Sequence, residues 1–504
     1  MDAERPTVKF TSAPLRSVLF LLLCILIPRT AHAHVGSKDV FETVDAGPYK
    51  LYVTIRMPTV IPGVAAVEVR SSGATISSID ITPLPITGEA SKHPPTPDPM
   101  ARSAADPTFF TGSVWMMASG SWEVRFEMAG GAGEQTASVP VPAVALSTLK
   151  MQRGLGITLG ILGLFLIVGM AGIVAAAVRD ARLEPGAVPS PNRKRRAVLA
   201  TISSLVFMSL LIWGGAKWWN VEAASYSLDV YRPLTVNPVL SGNVLDLNVY
   251  AFHPDSERRG RSNNDFLPDH GHLMHLYAIR EPEMDAIFHL HPTLEEAGDF
   301  RISLPSMPAG DYALYGDVVH ANGFPETLVS KISVPAGMAR GVLGPDDAAA
   351  YPQPLSGGQL GSSSKLPDGY VMVWDRPSTL TANTPYSFRF RLLDASGRAA
   401  GDMQPYMGMA GHAAFVKTDG TVFAHTHPEG SAAMAALMLA NGGESSAHED
   451  MSMDMPMDMG KHSEPTPSTV EFPYGFPSAG RYRIFVQMKH GTTIETGAFD
   501  ATVE

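Results

Sequence analysis

Cysteine is almost missing from this chain: one residue, Cys24, in 504. That excludes a disulfide framework, a Cys-x-x-Cys redox centre and a thiolate zinc site. Charge is also scarce, at 17% Asp, Glu, Lys and Arg, and the formal net charge is -11. A nucleic-acid partner wants a basic face, so none is expected. There is no nucleophile elbow, no P-loop and no His-Glu-x-x-His. A hydrolase or kinase reading therefore has nothing to stand on, and no enzymatic activity is assigned. With thiols gone, any soft metal ligand has to be methionine or histidine.

What is present falls into segments, and at 504 residues two to four domains are expected. Residues 1–33 carry Arg5, Lys9 and Arg16, then an apolar run, then Ala31-His32-Ala33, the pattern of an export leader. Cleavage after Ala33 would remove Cys24 and make His34 the first residue, whose amine and imidazole together can chelate copper. Residues 34–148 alternate β-branched and aromatic residues with polar ones (LYVTIRM, AAVEVRS, SWEVRFEM), which predicts a small β-sandwich. Residues 152–219 hold two apolar runs, Leu155–Val178, which carries no charge, and Ala197–Trp219, which ends in Lys217-Trp218-Trp219, each long enough to span a bilayer. Gly156, Gly160, Gly169 and Gly172 have a spacing that lets helices approach closely. The 179–196 loop carries Arg179, Arg182, Arg193, Lys194, Arg195 and Arg196, which predicts a cytoplasmic loop with both flanking regions outside. The expected location is the inner (plasma) membrane, with the large domains on the periplasmic or extracytoplasmic side. Residues 220–335 and 369–504 are again β-patterned, joined by a Gly/Ser/Pro-rich stretch, 336–368, that reads as a linker.

The last two regions are copies of each other. PDHGHLMHLYAIREPEMDAIFHLHP (268–292) superposes on PYMGMAGHAAFVKTDGTVFAHTHP (405–428). His275 falls on His412, and His289 and His291 fall on His425 and His427. His270 and His272 fall on Met407 and Met409. AGDYALYGDVVH matches AGRYRIFVQMKH without a gap, so His320 falls on His490. On a strand, residues two apart share a face. Each His-x-His pair therefore offers two imidazoles side by side, and His320 and His490 end strands that can lie beside them. Out of phase with His270 and His272, His275 and His412 read either as ligands or as histidines packed into a core.

Imidazole suits Cu(II), Zn or Ni, and thioether suits Cu(I). The second copy adds an insertion, within 430–467, in which Met451, Met453, Met455, Met457 and Met459 alternate with polar residues. Such a segment is expected to be flexible and to favour Cu(I). Copper, as Cu(I), Cu(II) or both, is thus the expected metal, ahead of zinc.

The His-x-His-Pro strands, the PYMGMAGH run and the closing FPSAGRYRIFVQ resemble small exported β-sandwich copper-binding proteins of the YtkA-like and CopC-like kind. The resemblance implies immunoglobulin-like domains and copper held outside the membrane. The chain departs from that pattern in having a membrane hairpin between its first and second sandwiches. The expectation is a mainly β protein: three immunoglobulin-like sandwiches plus a two-helix transmembrane hairpin. It would sequester copper or exchange it with a donor or acceptor protein. Two other readings stand beside it. One is a structural or assembly subunit of a membrane complex, its histidines serving only in packing. The other is a copper oxidase or oxygenase built on a chelate at His34.

Overall fold

The computed structural model describes residues 38–184, 186–250, 261–338, 341–442 and 465–504. The leader with Cys24, His34 and the methionines Met451, Met453, Met455, Met457 and Met459 lie outside the described residues. The architecture is mainly β, with six antiparallel sheets.

The sheets share hydrophobic cores in pairs, because alternation puts one face of each strand inward. The first pair, a five-stranded and a four-stranded sheet within 38–145, encloses Leu51, Val53, Ile55, Val67, Ile81, Phe126 and Val139. Its first strand, β1 (Val40–Ala46), serves two cores, with Val40 and Ala46 in the first. Phe41 leaves it to join the core of the third pair, edge-on to Tyr474.

Two helices follow, α1 (Arg153–Asp180) and α2 (Pro191–Ser227), both long and apolar enough to cross a membrane. Ser190 caps α2 by accepting from Arg193 N–H, with Pro191 at the first helical position. The chain leaves and re-enters the β body at one point, where Tyr231 N–H donates to the Ala145 carbonyl at 2.8 Å. Glycine spacing is not what holds the helices together. A side chain added at Gly160, Gly169 or Gly172 would meet open space.

The second pair of sheets buries Leu247, Leu276, Phe288, Phe300 and Leu314, and the third buries Trp374, Phe388, Phe415, Phe472 and Ile484. In the second pair the strands that matter are β2 (His275–Glu281), β3 (Ile287–Leu290) and β4 (Gly310–His320). Their counterparts in the third are β5 (His412–Lys417), β6 (Phe423–Thr426) and β7 (Gly480–His490). In both copies the middle strand of the three is the one that begins with a histidine: β2 pairs β3 and β4, and β5 pairs β6 and β7. The His-x-His strand and the His320 or His490 strand are therefore not neighbours, contrary to the adjacency expected from the sequence.

These strands are apolar on both faces. Leu276, Ala278 and Leu314 point into the core of the second pair, while Tyr277, Ile279, Ala313 and Tyr315 point away from it. The outward residues form a further buried cluster with Ala414, Val416, Phe423 and Phe485, so the two copies pack sheet against sheet. Arg483 pins this contact. It is fully buried, holds Asp500 through two hydrogen bonds of 2.8 and 3.0 Å, and donates across to the carbonyls of Met284 and Gln353. The stretch read as a linker is built into the body: Ala348–Ala350 adds a strand beside β3.

Candidate metal centre

Parity along the strands decides where each histidine goes. His275 is in phase with Tyr277 and Ile279, so it faces the other copy rather than its own core. The same holds for His289 beside Ile287, His412 beside Ala414, and His425 beside Phe423. At the end of the sheet-to-sheet contact these side chains converge. Ring centroids of His275 and His425 are 5.4 Å apart, those of His289 and His425 5.7 Å, and those of His289 and His412 6.3 Å. Five histidines of the first copy and three of the second thus form one continuous group.

Within it are two equivalent trios, His275–His289–His291 and His412–His425–His427, in each of which one nitrogen per ring lies within 4.8 Å of the others. Outer hydrogen bonds orient the rings. His275 Nε2–H donates to the Asp269 carbonyl at 2.9 Å, and His412 Nε2–H donates to the Tyr406 carbonyl at 3.2 Å. Both carbonyls belong to two-residue turns, closed by paired backbone bonds between Asp269 and His272 and between Tyr406 and Met409. His270 (φ 52°) with Gly271 and Met407 (φ 48°) with Gly408 supply the left-handed backbone such turns need. The His/Met exchange therefore sits on matching turns. His272 stacks on His291 at 4.0 Å, while Met409 is buried.

The middle histidine of each trio is held by the opposite copy. His289 Nδ1–H donates to Gln487 Oε1 at 2.8 Å, and His425 Nδ1 faces Asp317 Oδ2 at 3.4 Å. Gln487 and Asp317 are themselves equivalent, since each stands opposite its own copy's first histidine, His412 or His275. The third histidines are held locally: His291 Nδ1–H by Asp347 at 3.0 Å, and His427 Nδ1–H by the Ala432 carbonyl at 3.4 Å. Domain packing reaches this last contact. Glu42 of β1 is buried and accepts from the Ala432 N–H, fixing the loop that carries His427.

Five of the six trio rings donate outward through one nitrogen, and His425 Nδ1 faces Asp317; the other nitrogen of each ring turns toward its partners. The bare nitrogens of His275 and His289 are 3.1 Å apart, and those of His412 and His425 are 3.2 Å apart. The Nε2 atoms of His291, His427 and His270 are buried without a hydrogen-bond partner. Two nitrogens bound to one metal at about 2.0–2.1 Å are about 2.9 Å apart at a right angle and about 3.3 Å at the tetrahedral angle. The observed spacings fall between these. Burial first, and then the neighbouring imidazoles, hold His275, His289, His412 and His425 well below the ordinary histidine range. Burial and His270 bring His427 down to about 4. The rings are thus neutral, the form that binds a metal. The residues present fit a metal ion.

His270 extends from the first copy over the second trio, 4.7 Å from His427 ring to ring, and forms with Asp269 and His427 a third possible ligand group. His320 and His490 stand on the opposite strand face, in phase with the core residues Val318 and Met488, and take no part. His320 lies between Asp265 (2.7 Å) and Glu326 (2.9 Å). Burial alone would weaken its basicity, but the two carboxylates prevail and raise it. His490 lies against Asp368, Asp402 and Glu495 and stacks on Tyr370, a separate fourth group of possible ligands among the described residues. Sequence reading missed the outer anchors Asp347, Asp317, Gln487 and Asp269. It also missed that residues 434–440, inside the insertion expected to be flexible, form a helix, α3 (Met434–Ala440), whose Ala435 N–H donates to Asp269 at 2.8 Å.

A family described as a domain of unknown function, DUF8832, matches residues 364–504. No curated protein matches. Among solved structures, the chain is similar to a bacterial ice-binding adhesin studied for host cell surface retention, at 8% identity with a TM-score of 0.15, covering 91% of this chain and 99% of that one. It is also similar to Escherichia coli alpha-2-macroglobulin activated by porcine elastase, at 9% identity and TM-score 0.17, covering 90% of this chain and 30% of that one. A third similarity is to the D1–D4 ectodomain fragment of ICAM-5, at 7% identity and TM-score 0.15, covering 91% and 77% respectively.

Proposed function

We propose that this protein binds copper at the histidine cluster between its two repeated domains, to sequester the metal or pass it to a partner protein. The observation that carries the reading is the set of bare, inward-facing imidazole nitrogens, each with its other ring nitrogen tied to a carbonyl, amide or carboxylate. That is the outer-shell arrangement that fixes the tautomer of a ligating histidine. Imidazole trios alone suit zinc and nickel too. Copper is favoured by the sequence around them: thioethers replace two imidazoles on the matching turn, and a five-methionine stretch, Met451 to Met459, lies further along the same insertion as α3. In this reading the three sheet pairs are immunoglobulin-like sandwiches. The helices α1 and α2 form a transmembrane hairpin, and its Arg/Lys-rich loop keeps the β domains on the extracytoplasmic side.

The test is equilibrium titration of the full-length protein in detergent with Cu(I), Cu(II) and Zn. The full chain is needed because Phe41 and Glu42 complete the third sheet pair. We expect copper bound tighter than micromolar, and a loss of about 100-fold or more in affinity at the His275–His289–His291 trio on replacing His289 and His291 together by Gln. Absence of any copper binding tighter than micromolar would sink the reading.

A further inference from the structure

We infer that the cluster is a single two-metal centre: one ion in each trio, close enough to interact, and assembled only when the two domains are docked. This deepens the copper-binding reading and rests on it. Three observations carry it. First, the trios are contiguous. His425 of one is in ring contact with both His275 and His289 of the other, at 5.4 and 5.7 Å, so two bound ions are separated by little more than the imidazoles between them.

Second, each trio has its own three ligands. Each has three inward-facing nitrogens, one carbonyl anchor on its first histidine and one aspartate among its outer anchors, Asp347 for the first trio and Asp317 for the second. Neither trio needs a nitrogen of the other, so filling one trio does not empty the other.

Third, the outer anchors cross over. Gln487 of the second copy orients His289 of the first, and Asp317 of the first copy faces His425 of the second. His270, from the first copy, places a buried, unpartnered Nε2 beside His427 of the second trio as a further donor. Each ion therefore depends on the docked interface for the orientation of its middle ligand, and the second trio takes a fourth nitrogen from across it. Binding at either trio favours the docked state that the other requires, which is positive coupling by linkage.

The probe is copper(II) sulfate alone, added stepwise to the full-length protein in detergent, with metal analysis and electron paramagnetic resonance at each step. As the second histidine-dependent ion binds, we expect the resonance to lose amplitude rather than double, and a half-field transition to appear. The variants His289→Gln/His291→Gln and His425→Gln/His427→Gln should each bind one ion fewer and show an ordinary uncoupled spectrum. Circular dichroism would check that they are folded, and the wild-type titration reads the coupling without them. Two ions whose spectra simply add, with no half-field transition, would overturn the two-metal centre and leave copper binding intact. So would a single ion lost equally in both variants. No histidine-dependent ion in any protein would overturn both.

Discussion

Replacing Arg483 by Met should destabilise the β body by about 3–5 kcal/mol, the cost typical of stripping one partner from a buried ion pair. The guanidinium is inaccessible to solvent and so is Asp500, its bidentate partner. Burial pushes the Asp500 carboxyl up, but the hydrogen bonds from Arg483, Leu360 N–H and Arg481 overcome it and hold the group below its usual range. With Arg483 gone, Asp500 keeps only Arg481 and Leu360, and the carbonyls of Met284 and Gln353 lose their donor in a closed interface. At roughly 2–4 °C per kcal/mol for a domain of this size, the thermal midpoint should fall by roughly 6–20 °C. Arg483→Lys should rescue little, since an ammonium cannot span two carboxylate oxygens and two carbonyls at once. Arg483→Met with Asp500→Leu should recover a large part of the loss, because no charge is then left unpaired. A single Met variant that melts within about 2 °C of wild type would show that Arg483 does not pin the two copies together.

Arg483 also marks where the sequence stopped being readable. The β class, the two apolar helices and the repeat followed from alternation, run length and direct superposition, because these are local or pairwise signals. The sequence places LMHLYAI, beginning at 273, and RYRIFVQM, beginning at 481, as strands of β-sandwiches. Their near-continuous apolar character is the sign of strands covered on both faces. Taken at its word, it places the two copies back to back, and His275, open in the sequence between a ligand and a core residue, then faces the other copy. His320 and His490 failed in the opposite direction. They share the repeat with the trios, yet strand parity sends them to the core side, where carboxylates meet them. The anchors Asp317, Asp347 and Gln487 carry no motif. Their roles come from the packing of one sheet on another, which neither spacing nor composition encodes.

The same packing sets the response of the metal-free protein to acid. Below about pH 6.5 the domain interface should open, while most of the sheet content survives. The sign follows from the shifts. His275, His289, His412 and His425 are held well below the ordinary histidine value in the folded state, chiefly by burial, and His427 titrates at about 4. Once the interface opens, these rings regain the ordinary value near 6.5 and take up protons that the docked form refuses. Stability is therefore fully present above about pH 6.5 and falls as pH drops from there toward 4, by up to about 1.4 kcal/mol per histidine per pH unit. Five such rings give at most about 7 kcal/mol per unit, against a total that is rarely above 5–15 kcal/mol. Asp317, which faces His425 across the interface, opposes the trend: burial raises it to about 7, so it favours the docked form as protons are added. One such proton against five histidines leaves the sign unchanged. Hydrogen exchange should register it as lost protection in β2 and β5 between pH 6.5 and 4, with the strands around Leu51 and Phe126 still protected. A metal in the trios competes with protons for the same nitrogens, so loading the protein should move the opening to lower pH. Unchanged protection of β2 and β5 down to pH 4 in the metal-free protein would mean that these imidazoles are not held neutral by a closed interface.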